Sequence, residues 1–421
     1  MSDFEPIVPA VPSSLKHRNR KIVLSCFRDY QEHTVADIVA RTGISKLTVM
    51  RAIQFFCSKD IIVSSGKGNS TEQGGKKPEY FRFGYKKYLL TIMMWPEVLC
   101  LSLFDMQMNL IRCSNSVWII PSTPEQAFSF IREQAEALME QAGVTRDDLY
   151  GVSLSTSGII DYRYQLLKYS VHSPEWGENI PVGDYLKEIF GPSCCYFIEN
   201  ASKCISRTIL SEQPHPEKRL LVLFTSWGLS GALIRDGHIQ NGRDSLIGEI
   251  GHMVLDPSDT ERCICGSYGC VERLVSLSRL RRHLVSNPPP AGSPLSKLSP
   301  ESVNLTHLFF ASRQKDPYAQ EYVQYLADCF ASLLRNVSLT FNPENVVIVG
   351  DYAIADECFD NRIDEKFRQF HYLASSAPMQ IHYDTRVLSE LDAQGGALSL
   401  LDHFFSDPHI YEDEDVQEMP R

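Results

Sequence analysis

The sequence predicts an α/β protein in two parts, a winged helix-turn-helix head and a two-lobed body. Three observations predict it: a basic opening segment before an acidic remainder, three helical stripes followed by a β-like pair before residue 88, and strands alternating with helices after it. The 421 residues predict two or three domains at roughly 150 residues each. Residues 1–88 hold 15 Lys/Arg against 8 Asp/Glu, a balance of +7, and the rest hold 26 against 44, or −18. A small basic head on a large acidic body suits a dedicated nucleic-acid module joined to something else. With 43% hydrophobic and 22% charged residues, global disorder is excluded. No charge-free apolar run approaches the ~20 residues of a membrane span. Asp3, Glu5 and three prolines at the start do not make a signal peptide, so a reducing, cytoplasmic setting is expected and the cysteines read as thiols.

The head is read in order. Residues 1–14 are Pro- and Ser-rich and expected to be flexible. From Leu15 a helical stripe runs through Ile22, Val23, Cys26, Phe27 and Tyr30. Thr34 with Asp37 three residues on is a capping-box start, and Gly43 suits the left-handed end of the helix that follows. Ser45 caps a third helix, with Val49, Ala52, Ile53 and Phe56 facing inward. A pair at 61–63 and 80–83, joined by a Gly-rich loop, completes the winged order over 15–87. A second helix after a Gly-bearing turn can enter a major groove. Its outward side carries Lys46, Leu47, Thr48, Arg51 and Gln54. Arg and Gln read base edges, and Leu47 can pack on a thymine methyl. Lys76 and Lys77 at the wing tip suit phosphates or a minor groove. The other reading of this bundle is an interaction module with solvated lysines.

The body spans 88–405. Strands are expected over 89–94, 99–104, 151–155, 195–198, 220–224, 231–234 and 345–349. Helices are expected over 122–142, 182–190, 201–210, 319–341 and 394–405. Residues 286–300 read as a surface insertion, and 406–421 as an acidic, unstructured tail.

The loop 248–272 carries the chemistry. His252, Cys263, Cys265 and Cys270 offer one imidazole and three thiolates, the donor set of a closed structural zinc site. Gly266 and Gly269 let the backbone curl so that the sulfurs converge. From spacing alone, three reduced core cysteines beside an unrelated histidine stay open as the alternative.

Glu249-x-Gly251-His252 followed by the C-x-C-G-x-x-G-C-x-E run from Cys263 to Glu272 resembles the signature of the ROK family (repressors, open reading frames and kinases). Asn19-Arg20-Lys21-Ile22 and the run from Arg41 to Val49 resemble the DNA-binding head of its xylose- and N-acetylglucosamine-repressor branch. Gly75-Lys76-Lys77-Pro78 resembles that branch's Gly-Arg-Arg-Pro wing tip, and the run Ser157 to Asp161 resembles the family's sugar-lobe loop. The resemblance covers nearly the whole chain. It implies an actin-like, sugar-kinase-type (ribonuclease H-like) fold with a structural zinc on His252, Cys263, Cys265 and Cys270. It also implies sugar contacts from Asn200, Glu249, His252 and Glu272. His252 is claimed twice, and a metal-bound imidazole has one nitrogen left to offer.

Three departures bear on catalysis. Family kinases follow Glu-Asn with an Asp base, and here Ala201 follows Asn200; a methyl cannot take a proton, and general-base catalysis supplies ~10²–10⁴ in rate. The first nucleotide loop, Asp-x-Gly-Gly-Thr in the family, reads Met93-Met94-Trp95-Pro96-Glu97. The second, Gly-Thr-Gly-x-Gly, reads Thr225 to Gly231 with Trp227 inside it. Phosphate cradles need glycine and free N–H groups. The expectation is a non-enzymatic, sugar-responsive repressor of carbohydrate-metabolism genes. It would act as a homodimer or dimer of dimers on a double-stranded DNA operator, with a sugar or sugar-phosphate effector and no membrane partner, in a bacterial cytoplasm at the nucleoid. The rival readings are an active sugar kinase with a fused DNA-binding head and a ligand-blind DNA-binding dimer.

Overall fold

The computed structural model describes residues 12–413 except 68–76, 171, 214–218 and 371–378. Local caps set the head. Helix α1 (Pro12–Ser25) turns Val23 and Leu24 inward. Strand β1 (His33–Thr34) leads into α2 (Val35–Thr42). Thr34 Oγ1 accepts from the Asp37 N–H at 3.2 Å, and the Thr34 N–H donates to the Asp37 carboxylate at 2.8 Å; the reciprocal cap satisfies two orphan donors. Gly43 ends α2 at φ 68°, and Ser45 caps α3 (Lys46–Ser58) by accepting from the Thr48 N–H. Strands β2 (Ile62–Lys67) and β3 (Glu79–Phe83) pair antiparallel, with β1 on the other side of β3.

In the first lobe, β4 (Tyr88–Trp95), β5 (Val98–Asp105) and β6 (Leu110–Val117) form a meander. Helix α4 (Pro124–Ala142) returns the chain to β7 (Leu149–Thr156), parallel to β4. A small sheet of β8 (Ile159–Asp161), β9 (Leu166–Tyr169) and β10 (Glu178–Ile180) follows, then α5 (Val182–Phe190) and β11 (Cys195–Asn200), parallel to β7. Helix α6 (Ala201–Ser211) crosses to the second lobe, where β12 (Leu220–Thr225), β13 (Leu229–Arg235) and β14 (His238–Ile239) repeat the meander. After α7 (Val271–Leu274), α8 (Leu277–Ser286), α9 (Leu305–Arg313) and α10 (Pro317–Thr340), β15 (Asn345–Gly350) lies parallel to β12. Helix α11 (Glu357–Arg368) precedes β16 (Gln380–Asp384), parallel to β15. Helix α12 (Leu388–Ser406) then packs back on α6 and the first sheet. The sheet orders are β11-β7-β4-β5-β6 and β14-β13-β12-β15-β16, one strand plan used twice. In both, a hairpin opens the sheet and parallel strands extend it.

Strands β1, β6, β8, β9, β10, β14 and β16 were not foreseen. β6 is an edge strand with most residues exposed, so no buried alternation marks it, and β8 to β10 are too short to show a period. Two expectations are corrected. The insertion 286–300 is not all surface: Leu295 and Ser293 are buried, and Ser293 Oγ donates to Asp316 at 2.6 Å. The tail is structured as far as Asp413. Pro408–Tyr411 makes a helical turn, Tyr411 packs edge-on to Phe56 at 6.2 Å, and Asp413 pairs with Lys16 and Arg20 at 2.5 and 2.7 Å. The tail's charge outweighed Tyr411 in the sequence reading, and the basic partners lie at the far end of the chain.

The head shares its core with the body. Phe83 meets Phe404 and Phe405 at 5.9 and 5.7 Å, and Tyr85 stacks on Phe404 at 5.3 Å. One apolar cluster thus joins α3, β3, the first sheet and the end of α12. Helix α12 therefore packs on α6 along part of its length and enters the head's core at its end.

Candidate ligand cleft and metal centre

His252 ends a helical turn (Ile250–His252) anchored by buried Ile250. Cys263 is held by its N–H on the Ser267 carbonyl at 2.8 Å, and Gly266 closes back on the Cys263 carbonyl at 2.9 Å. Gly269 has φ 67°, and a Cβ there would sit 1.7 Å from the Asp256 carbonyl oxygen, so glycine is required for the loop to close. The ligand atoms of His252, Cys263, Cys265 and Cys270 all lie within 4.8 Å of one another. Cys263 Sγ is 3.5 Å from His252 Nδ1, and Cys265 Sγ is 3.6 Å from Cys270 Sγ. Tetrahedral bonds of ~2.3 Å to sulfur and ~2.0 Å to nitrogen give ligand edges of about 3.5–3.8 Å, so the four donors fit a metal ion of that size. Burial, then the neighbouring thiols, push the Cys270 thiol up to about 12. A bound cation reverses that preference by stabilising thiolate.

His252 presents its two ring nitrogens to different neighbours. Nδ1 faces the sulfurs, while Nε2 faces Glu249 Oε2 at 3.9 Å. Glu272 is the second residue of α7, two positions after Cys270, and its Oε2 accepts from the Leu229 N–H at 2.9 Å. Burial pushes the Glu249 carboxyl up, opposed by His252 and Lys203.

Asn200, Glu249, His252 and Glu272 line one cleft of about 710 Å³ with Ser157 and Gly158. The Asn200 amide is largely committed within the protein. Its Oδ1 caps α6, accepting from the Ser202 N–H and hydroxyl at 3.0 and 2.7 Å, and its Nδ2 donates to the Gly158 carbonyl at 3.0 Å. Ala201 lines the same cleft. The hairpin turns that open the two sheets also meet here. Trp95 and Trp227 pack edge to face at 4.9 Å, and Phe224 stands 5.5 Å from Trp95. Glu97 turns the first hairpin at φ 66° behind Pro96.

A polar network behind the cleft escaped sequence reading. Glu199 is 1% exposed; it accepts from the Tyr162 hydroxyl at 2.5 Å and the Asn200 N–H at 2.9 Å, with Arg207 at 3.6 Å. Lys203 Nζ donates to the Tyr162 hydroxyl at 3.2 Å. The one sequence signal was Glu199 standing beside Asn200. His172 also lines the cleft, and burial lowers its pKa.

On the head, Ser45, Lys46, Leu47, Arg51 and Gln54 are exposed on or beside α3, while Val49, Ala52, Ile53 and Phe56 are buried. Thr48 is half-buried, with its hydroxyl 2.9 Å from Ser45 Oγ. Lys77 is exposed, and Lys76 lies outside the described residues. Among the described residues no helix is long and apolar enough to cross a membrane.

A duplicated five-stranded plan around a polar cleft, with a helix-turn-helix in front, defines a two-lobed, sugar-kinase-like protein carrying a winged head. The ROK family model matches residues 99–403, and the chain belongs to the ROK family. It is 30% identical to a glucokinase of Thermotoga maritima over 243 residues, 56% of this chain and 74% of that one. It is 25% identical to the DNA-binding transcriptional dual regulator NagC of Escherichia coli over 210 residues, half of each chain. The crystal structure of a ROK family transcriptional regulator, homologous to the E. coli MLC protein, superposes with a TM-score of 0.77 at 16% identity. It covers 94% of this chain and 100% of that one, which leaves too few residues outside for the head to be missed.

Proposed function

We propose that the protein is a DNA-binding transcriptional regulator, a sugar-responsive repressor whose ROK body senses a sugar and transfers no phosphate. The observation that carries this reading is α3, which buries one stripe and presents Lys46, Leu47, Arg51 and Gln54 outward on a winged head sharing a core with the body. A homodimer or dimer of dimers would set two such helices in successive major grooves of a palindromic operator. Exposed Lys77, together with Lys76, would meet phosphate. The kinship with NagC and with the MLC homologue supports the regulator reading.

The body supplies the sensor. Glu249, Glu272 and the Nε2 side of His252 would hold hydroxyls. Zinc on His252 Nδ1, Cys263, Cys265 and Cys270 would brace the loop bearing them. When bound, that ion would supply structural rigidity and fix the imidazole orientation. Ligand preference for one lobe arrangement would shift the population, and α12 would carry the shift from α6 to the head. Ala201 offers no base, and the Trp95–Trp227 pair fills the place between the turns. The cytoplasm, at the nucleoid, is the matching location.

The test is fluorescence anisotropy of the zinc-loaded protein with the DNA upstream of its own gene. Nanomolar binding that Arg51→Ala weakens by ~1–3 kcal/mol is expected. Absence of binding above that to unrelated duplex would sink the reading. The glucokinase kinship favours a second reading, an active kinase with a regulatory head. Turnover of ATP, magnesium and a sugar panel at ordinary enzyme rates, about 1–10³ per second, would establish it.

A further inference from the structure

We infer that the cleft takes a neutral disaccharide, with its second pyranose ring stacked on Trp227. The inference rests on the sugar-sensing reading and adds a subsite to it. The duplicated strand plan places the first hairpin turn of each sheet at the cleft, and each turn brings a tryptophan. Trp95 is 3% exposed, wedged between Phe224 and Trp227, and anchored through its carbonyl, which accepts from the Trp118 indole N–H at 2.9 Å. Trp227 rests edge to face against this fixed ring yet stays 43% exposed. A held aromatic ring with free surface, in a cleft that also carries polar groups able to bind hydroxyls, is a stacking platform. Its partner must present an apolar face and a polar rim. A pyranose does so, with C–H bonds on its faces and hydroxyls around its edge.

Size points the same way. The cleft holds about 710 Å³, whereas one hexose displaces on the order of six waters, roughly 180 Å³. A single ring at Glu249, His252 and Glu272 would leave most of that volume unfilled. The lining also includes Leu229, Leu246 and Ile264, which offer contact to a ring face and no charge.

Electrostatics disfavour an anionic ligand. Glu249 and Glu272 place carboxylates at the polar end. Among the described lining residues Arg273 is the one Lys or Arg, and its guanidinium is paired with Glu261. Neither end offers a phosphate an unpaired cation, and Pro96 denies the first turn an N–H. A sugar phosphate would enter against two carboxylates.

Calorimetry on the full-length, zinc-loaded protein tests this with cellobiose, maltose and diacetylchitobiose against glucose, N-acetylglucosamine and their 6-phosphates. At least one disaccharide is expected to bind about tenfold or more tighter than its own monosaccharide unit, roughly 1.4 kcal/mol, and to quench indole fluorescence. Trp227→Leu is expected to weaken that disaccharide about tenfold and the monosaccharide by much less, with Trp227→Phe restoring most of the difference. Thermal melts confirm that each variant is folded. Monosaccharides binding as tightly as disaccharides, or equal losses for both in Trp227→Leu, would overturn the subsite and leave the sugar sensor standing. A 6-phosphate as the tightest ligand would overturn neutrality. Binding of none of these sugars by folded protein would overturn the subsite and the sensor together.

Discussion

The two walls of the cleft are built by different physics. One is the loop that gathers His252, Cys263, Cys265 and Cys270 within 4.8 Å and aims Glu249 and Glu272 inward. It is short, glycine-pinned and polar. The other is the meeting of two hairpin turns, where Trp95 and Trp227 pack at 4.9 Å. It is apolar and assembled from segments far apart in the chain. The first wall matches the family's pattern for holding a sugar, and the second departs from the family's pattern for holding a nucleotide. On the proposed reading, the difference teaches that ligand recognition and phosphoryl transfer would occupy separable surfaces, one kept in polar side chains while the other is built in aromatic ones.

Metal removal is the harshest way to break the comparison. If the metal braces the first wall, chelation or Cys270→Ser should lower the melting temperature by about 10 °C or more. That corresponds to roughly 9 kcal/mol if the chain melts as one unit, at ~2.1 cal/mol/K of unfolding entropy per residue, comparable to the binding energy of a structural zinc. Sugar binding should be lost with it, while far-UV circular dichroism of the remaining α/β core persists below the melt. Calorimetry and metal analysis check this, and an unchanged melt after verified metal loss would leave the wall without its brace.

A second test lies behind the Trp95 side. Asp392 on α12 is 2% exposed; the Ser155 hydroxyl donates to its Oδ1 at 2.6 Å, and Oδ2 is buried without a partner. Burial pushes its carboxyl up to about 8. An acid whose folded pKa lies above its unfolded value of ~3.9 keeps its proton longer in the native state. It destabilises the fold increasingly as pH rises from about 4 to 8, and no further above that. Asp392→Asn keeps the shape and cannot ionise. Its stability advantage over the parent should grow by roughly 2–4 kcal/mol between pH 5 and pH 8, read from urea melts. Parallel curves across that range would show the carboxyl to be unperturbed. The same helix carries Phe404 and Phe405 into the head, so operator affinity should follow the same pH course.

The metal wall was legible because its four donors lie in one short stretch and their spacing needs no tertiary knowledge. The head was legible for a similar reason: Thr34, Asp37, Gly43 and Ser45 act within a turn of their own position. The aromatic wall was not. Trp95 and Trp227 were read singly as bulky residues in poor phosphate loops, and nothing local says that they touch. The buried Glu199–Tyr162–Lys203 network and the docking of Tyr411 on Phe56 were hidden likewise, because each joins elements distant in the chain. The duplicated strand plan also went unseen. It is a repeat of topology, in which the hydrogen-bonded order recurs without the residues.

The smallest expected effect sits where the walls join. Glu272 belongs to the metal wall, yet its Oε2 takes the Leu229 N–H at 2.9 Å, at the first residue after the Trp227 turn. The fit is close: a Cβ on Gly228 would fall 2.6 Å from the same oxygen. Glu272→Ala removes a carboxylate acceptor from the N–H of buried Leu229, and a hydrogen bond to a charged group is worth about 1.5–3 kcal/mol before water refills the site. The cleft is open to solvent, so a net loss of about 1 kcal/mol is expected, with sugar affinity falling further because the carboxylate also faces the ligand. Glu272→Gln keeps a carbonyl oxygen for Leu229 and should recover most of the stability while binding sugar less well. That split assigns the carboxylate oxygens separate duties, one joining the walls and one meeting the ligand. Equal recovery of both by glutamine would mean that the charge itself contributes to neither.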